Sequence, residues 1–303
     1  SRGLGDVYKR QVVLKSGLML FRIEDLWNDT RANANIISIL QGYSDPRLER
    51  WFATNNADIY STDDELSPVV EKATKYLGVR QGVPMTRTEY QGYSKTSRVG
   101  IPEQGPRPVL RVAEAYFLRA EGMLRNWNMG DGTPESLYNE GIHSAWASVL
   151  GDESGWAGTY ESYINGFINT EEGGDFDWEL FEGGFGSAPY INYRNQEYNY
   201  YIEENGKQVG INRISVRWHD EDSPEKKLQR IITQKWISFF PTLSSVAWTE
   251  YRRTGYPELY PCIDNLSDCG VSSQRGMRRL SFPYTEAQNN NCLLYTSPSP
   301  RDA

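Results

Sequence analysis

The chain of 303 residues is 38% hydrophobic and 24% charged, enough to bury a sizeable core in one large domain or two ordinary ones. Its net charge of −8 and lack of a long basic run argue against a nucleic-acid surface, which needs a concentrated cationic face to neutralise phosphates. Two histidines, His143 and His219, with no HExxH motif or cysteine cluster leave no metal-ligand signature, and no stretch reaches the ~20 apolar residues of a spanning helix.

The two ends share no periodicity with their neighbours. "SRGLGDVYKRQ" (1–11) and "CLLYTSPSPRDA" (292–303) resemble translated sequencing-adapter strings. A single domain is therefore expected over 12–291, and the absence of a leader at residue 1 carries no information about location. Residues 12–60 read as irregular apart from the corner "SDPRLERWF" (44–52), where Asp45 before Pro46 favours a turn and Leu48, Trp51 and Phe52 share one face. A short helix is expected in "STDDELSPVVEKATKYLG" (61–78), followed by an extended surface segment over 79–108.

The strongest helical signal is "RVAEAYFLRAEGMLR" (111–125), with apolar or small residues at 112, 113, 116, 117, 120, 123 and 124 forming one stripe. Glu121 and Arg125 are spaced as an i,i+4 pair on the solvent side. After the turn "NMGDGT", Thr133 and Pro134 supply an N-cap and a first-turn proline. The next helix points Leu137, Tyr138, Ile142, Ala145, Trp146 and Val149 inward and stops at Gly151. Small residues at Ala113, Ala120, Gly141 and Ala145 allow close approach, so 109–151 reads as a helical hairpin of tetratricopeptide type. His143 falls at its rim.

Residues 152–222 read as a loop-rich aromatic excursion, with 13 aromatics among the 46 residues from Trp156 to Tyr201, and a short strand is expected in "INRISVRW" (211–218). A second helical region, 223–256, starts at Ser223-Pro224. It buries Leu228, Ile231, Ile232, Trp236, Phe239 and Phe240, stops at Pro241, and continues as a helix over 243–253. Arg252 and Arg253 suit the last turn of that helix, and Gly255 and Pro257 end it. Cys262 and Cys269 in "PCIDNLSDCG" are spaced for a small disulfide ring or stand as two thiols.

Together "DPRLERWF", "RVAEAYFLRAEG", "LYNEGIHSAW", "IITQKWISFFP…AWTEYRRTGYPELYP" and "MRRLSFPYTEAQNN" (277–290) resemble, in order, the SusD/RagB-like nutrient-binding outer-membrane lipoproteins. The resemblance implies a mainly α fold, with tetratricopeptide-like helical hairpins and a long loop-rich excursion carrying the ligand site. It further implies a cell-surface, lipid-anchored glycan-binding protein that delivers nutrients to a SusC-like TonB-dependent outer-membrane transporter, without catalysis or cofactor. The chain is expected to be roughly the C-terminal half of such a protein, with the anchor and the early helix pairs missing. The alternatives are a peptide-binding member of the family or a cytoplasmic tetratricopeptide scaffold.

Residue chemistry divides the aromatics into two groups. Gln234, Lys235, Trp236, Trp248, Glu250, Arg252, Arg253, Gly255, Tyr256 and Pro257 are expected to hold a helix corner together, because a buried arginine needs carboxylates and stacks well on an indole. Trp248 is read as buried, so that its truncation costs ~3–5 kcal/mol. Trp156, Tyr160, Trp178, Tyr190, Tyr193, Arg194, Tyr198 and Tyr200 are the candidate glycan contacts, since flat rings stack on sugar faces while neighbouring amides and guanidiniums bond hydroxyls. The acids from Glu171 to Glu182 are read as solvated loop rather than a glycosidase pair, and "EEGGDFDWE" lacks EF-hand spacing for Ca²⁺.

Overall fold

The computed structural model describes residues 13–14, 32–52, 76, 78, 81, 107–165, 202–204, 207–209, 211–262 and 276. The expected helix at 61–78 and extended stretch at 79–108 lie almost wholly outside these residues. So do Trp178, Tyr190, Tyr193, Arg194, Tyr198, Tyr200, the acids at 171–182, Cys269 and the closing segment 277–290.

The described part is mainly helical. Helix α1 (Ala34–Gly42) and the short α2 (Arg47–Trp51) precede the hairpin of α3 (Val112–Leu124) and α4 (Pro134–Leu150). After these come α5 (Ala157–Asn165), α6 (Pro224–Phe239) and α7 (Ser244–Thr254). A single 3-10 turn (Glu153–Gly155) precedes α5, and there are two small antiparallel pairs: β1 (Val13–Leu14) with β2 (Arg107–Pro108), and β3 (Ile202–Glu204) with β4 (Lys207–Val209).

The α3–α4 hairpin forms as its sequence predicts. Thr133 accepts from the Ser136 amide while the Ser136 hydroxyl accepts from the Thr133 amide, a reciprocal cap that closes the first turn of α4. Gly151 ends the helix at φ 80°. Close packing is achieved at Gly141, where a Cβ would sit 2.6 Å from the Phe117 ring. Phe117, Tyr138, Ile142 and Trp146 are at most 0% exposed at this interface and in the surrounding core.

Helix α1 stands where an irregular segment was expected. All nine of its residues are buried, including Asn35, Ser38 and Gln41, so no polar stripe marks it in the sequence. Its polar groups are matched individually: Asn35 Oδ1 accepts from the Tyr260 amide at 2.6 Å, and Ser38 Oγ lies 2.9 Å from the Tyr260 hydroxyl. The tail beyond α7 is thereby fastened back onto α1.

Two further expectations are corrected. The segment 152–222 opens with a helix, α5, and closes with core residues. Residues 211–218 alternate largely as expected, with Asn212, Ile214, Val216 and Trp218 buried and Ser215 buried between them, but they form no strand. Side chains take the place of a neighbouring strand. The Tyr43 hydroxyl donates to the Ile214 carbonyl at 2.6 Å, Arg230 Nε to Ser215 at 3.1 Å, and the Tyr138 hydroxyl to Val216 at 2.7 Å. A period of two therefore reports an extended buried chain, and pairing is a separate matter. Glu121, expected on the solvent side of α3, is 7% exposed and faces α7.

Candidate functional site

Where the aromatic excursion leaves the hairpin, Trp146 of α4 gathers the rings of α5 and the preceding turn. Its ring centroid lies 5.8 Å from Trp156, 5.6 Å from Tyr160 and 4.8 Å from Tyr163. His143, one turn earlier, meets Trp156 at 5.1 Å and Tyr160 at 5.2 Å, and its Nε2 is 3.2 Å from Glu153 Oε1. The edge-on and tilted geometries are those favoured by ring quadrupoles.

Trp156 and Tyr160, two of the residues expected to offer their faces to a sugar, are only 6% and 7% exposed. Their polar edges are also engaged: Trp156 Nε1 donates to the Gly151 carbonyl at 3.3 Å, and the Tyr160 hydroxyl to Asn139 at 2.7 Å. Burial, reinforced by nearby Glu140, raises the Tyr160 phenol well above its ordinary value, so it remains a neutral donor. These two rings footing the excursion are occupied with packing.

Behind them lies a buried polar network that the sequence announces only at Asp45-Pro46-Arg47. Asp45 takes Arg47 Nε at 2.9 Å and Nη2 at 2.6 Å, and accepts from the Tyr163 hydroxyl at 2.9 Å. Gln234 Nε2 donates to that same hydroxyl at 3.0 Å. The network joins α2, α5 and α6, and both Asp45 and Arg47 are at most 2% exposed. The Asp-Pro-Arg sequence is its local signal, since the carboxylate also accepts from the Arg47 amide at 2.9 Å.

The corner of α6 and α7 is organised by ions. Arg253 bonds both oxygens of Glu121, at 2.6 and 2.8 Å, and reaches Glu250 at 2.6 Å. Glu121 also receives Arg125 at 2.8 Å, and Lys235, 1% exposed, pairs with Glu250 at 3.3 Å. Burial pushes the Glu121 carboxyl upward, but hydrogen bonds from Arg253 and Arg125 outweigh it and leave the group below its ordinary range. Tyr256 donates to Glu225 at 2.9 Å, tying the end of α7 to the start of α6, and Gly255 caps α7 at φ 84°. Pro257 is buried just beyond.

Trp248 departs from its expected place. It is 37% exposed, with the Arg252 guanidinium 4.4 Å from its ring centroid. On α7 it stands on the side away from Glu250 and Arg253, bordering an apolar pocket of about 240 Å³. Trp236, Phe239, Phe240, Tyr251 and Leu259 form much of the wall, with Asn33 and Ser244 as polar points. The corner is thus a charged lattice on one side of α7 and an aromatic recess on the other. Among the described residues no cluster of His, Cys, Asp and Glu is arranged to hold a metal.

The family described as "SusD-like: Susd and RagB outer membrane lipoprotein" matches residues 9–163 and 185–299. The chain belongs to the SusD-like family. Its SusD-like fold is also that of solved structures, among them a chitin-binding SusD homologue from Flavobacterium johnsoniae, 32% identical with a TM-score of 0.63. That alignment covers 88% of this chain and 45% of the homologue. SusD homologues from Bacteroides ovatus and Bacteroides thetaiotaomicron align at 32% and 29% identity, with TM-scores of 0.61 and 0.62; each covers 88% of this chain and 47% of the other. The chain thus spans a little under half the length of the solved structures it matches. No curated protein matches. The family match passes over 164–184, the stretch containing Trp178, whereas Tyr190, Tyr193, Arg194, Tyr198 and Tyr200 fall within its second part. No helix among the described residues is long and apolar enough to cross a membrane, and the SusD-like family is one of binding proteins rather than enzymes.

Proposed function

We propose that this SusD-like protein captures glycan at the bacterial cell surface, held to the outer membrane by an N-terminal lipid anchor. It delivers the glycan to a SusC-like TonB-dependent transporter. Membership of a family of outer-membrane lipoproteins carries this reading. The 32% identity to a chitin-binding homologue makes β-linked amino-sugar chains the first ligands to try.

In this reading Trp178, Tyr190, Tyr193, Tyr198 and Tyr200 supply stacking faces, and Arg194 bonds sugar hydroxyls. Trp156 and Tyr160 act through packing instead, fixing the start of the excursion against α4 so that less ordering is needed on binding. Calorimetry with chitin oligosaccharides, preceded by a glycan-array screen, tests the function. Trp178→Ala and Tyr193→Ala are expected to weaken binding while leaving the melting curve in place. A folded protein that binds no glycan on the array sinks the reading in favour of peptide capture or a role confined to covering the transporter.

A further inference from the structure

Helix α5 is fastened by few side chains. Of its nine residues only Tyr160 and Tyr163 are buried, and Trp156 just before it completes the set. A short helix held in this way lies at the low end of local stability, so a small change in one contact alters how often it opens. One of those contacts is an imidazole, the side chain that ordinarily changes charge between about pH 5 and 8. His143 of α4 packs against both Trp156 and Tyr160, with its Nε2 3.2 Å from Glu153 Oε1.

The charges set around this imidazole share one sign. Glu153 comes from the 3-10 turn, Glu161 from α5, and Glu140 from α4 itself, three residues before His143. Asp152 is the other acid of the turn and accepts from the Ser154 amide at 3.0 Å. The Tyr160 phenol reports the field of these groups: burial raises it, and Glu140, Glu161 and Glu153 push in the same direction. A field that holds a proton on a phenol also favours a positive charge on the imidazole packed against it. The His143 and Glu153 side chains are 32% and 61% exposed, so water screens the pair and its effect is small.

We infer that His143 and Glu153 form a proton-dependent clasp, which holds α5 to α4 more firmly in mild acid than in mild alkali. A neutral imidazole has one N–H and no charge to offer the carboxylate, whereas the imidazolium donates from both nitrogens and forms an ion pair. The sign follows from where the proton is held better. Docked α5 brings the acids and the imidazole together, so docking takes up the proton; the added stability is complete on the acid side of the imidazole range and lost on the alkaline side. Carboxylates ordinarily titrate near pH 4 and stay ionised across this window.

The test is hydrogen exchange of the α5 amides at about pH 5.5 and pH 8, in low salt. Each rate is corrected for intrinsic exchange and referred to the α4 amides of the same sample. Wild-type α5 should be roughly two- to fivefold better protected at the lower pH, the size expected of a half-exposed ion pair. His143→Gln and the exposed Glu153→Gln should each abolish the difference, His219→Gln should keep it, and ~0.5 M salt should shrink it in wild type. If His143→Gln does not fold, Glu153→Gln carries the comparison. Equal relative protection at the two pH values in wild type overturns the clasp, as does an undiminished difference in His143→Gln. A difference that survives in Glu153→Gln overturns the pair, since the imidazole would then act without that carboxylate.

Discussion

The root of the aromatic excursion and the corner of α6 and α7 are built from similar residues by opposite means. At the root, rings pack on rings around Trp146, and the engaged polar edges of Trp156 and Tyr160 go to backbone carbonyls. At the corner, three helices are joined through carboxylates, with Arg253, Arg125 and Lys235 converging on Glu121 and Glu250. The tryptophans follow suit. Trp156 is enclosed, and Trp248 leaves a third of its surface outside beneath a guanidinium. Density of aromatics marks both regions equally; what separates them is where each polar edge finds its partner.

The sharpest way to break this comparison is to remove the hub of the root. Trp146→Ala deletes a side chain that is 0% exposed and contacts three rings, and should cost about 3–5 kcal/mol in a urea titration. A loss below about 1 kcal/mol would mean that the ring cluster is incidental. Next comes Asp45→Ala, which strands the Arg47 guanidinium in the interior without its carboxylate and takes an acceptor from Tyr163. A cost of about 3 kcal/mol is expected. The pair Asp45→Leu with Arg47→Met should recover much of it, because the charge and its partner leave together. If the double variant is no better than the single one, the network contributes through shape rather than charge.

The α3–α4 hairpin and the α6–α7 pair were legible because amphipathic stripes, Thr133, Pro134, Ser223 and Gly255 act locally. Helix α1 was not, because it is buried on every side and carries Asn35, Ser38 and Gln41 inward. The extended segment 211–218 was half legible: its alternation showed which residues face the core, but its carbonyl partners Tyr43, Tyr138 and Arg230 come from distant positions. At the candidate site, the aromatic composition pointed to the excursion. It could not distinguish Trp156 and Tyr160, whose hydrogen bonds run to Gly151 and Asn139, from rings left open to a ligand. Trp248 was misplaced for a related reason: its neighbours Glu250 and Arg253 belong to the lattice, but a helix turns Trp248 to the other side.

Acid sharpens the contrast by acting on the corner and sparing the rings. Glu121 titrates below its ordinary value of 4.5 in the folded protein. Its contribution is therefore fully present above about pH 4.5 and is lost as pH falls through the lower, folded value. Glu114, on the same helix, is raised by burial, so protonating it on folding works in the opposite sense and partly offsets the loss. Glu121→Gln should flatten the acid limb of a stability-against-pH curve, whereas Trp156→Phe should shift the whole curve without changing its slope. An acid limb unchanged by Glu121→Gln would detach Arg253 and Arg125 from the stability of the corner.

The smallest effect concerns Trp248, and it tests the inversion of roles directly. Because the ring is partly exposed, Trp248→Ala should cost only about 1–2 kcal/mol, combining reduced apolar burial with the loss of an exposed cation–π contact worth roughly 0.5–1 kcal/mol. Arg252→Met should reproduce the smaller share and leave the Arg253 lattice intact, since Arg252 lies over the Trp248 ring while Arg253 bonds Glu121 and Glu250. A cost for Trp248→Ala as large as that of Trp146→Ala would place the indole in a covered interior. The aromatic recess beside it would then be part of the core, and the distinction between an ion-built corner and a ring-built root would fail at its most exposed residue.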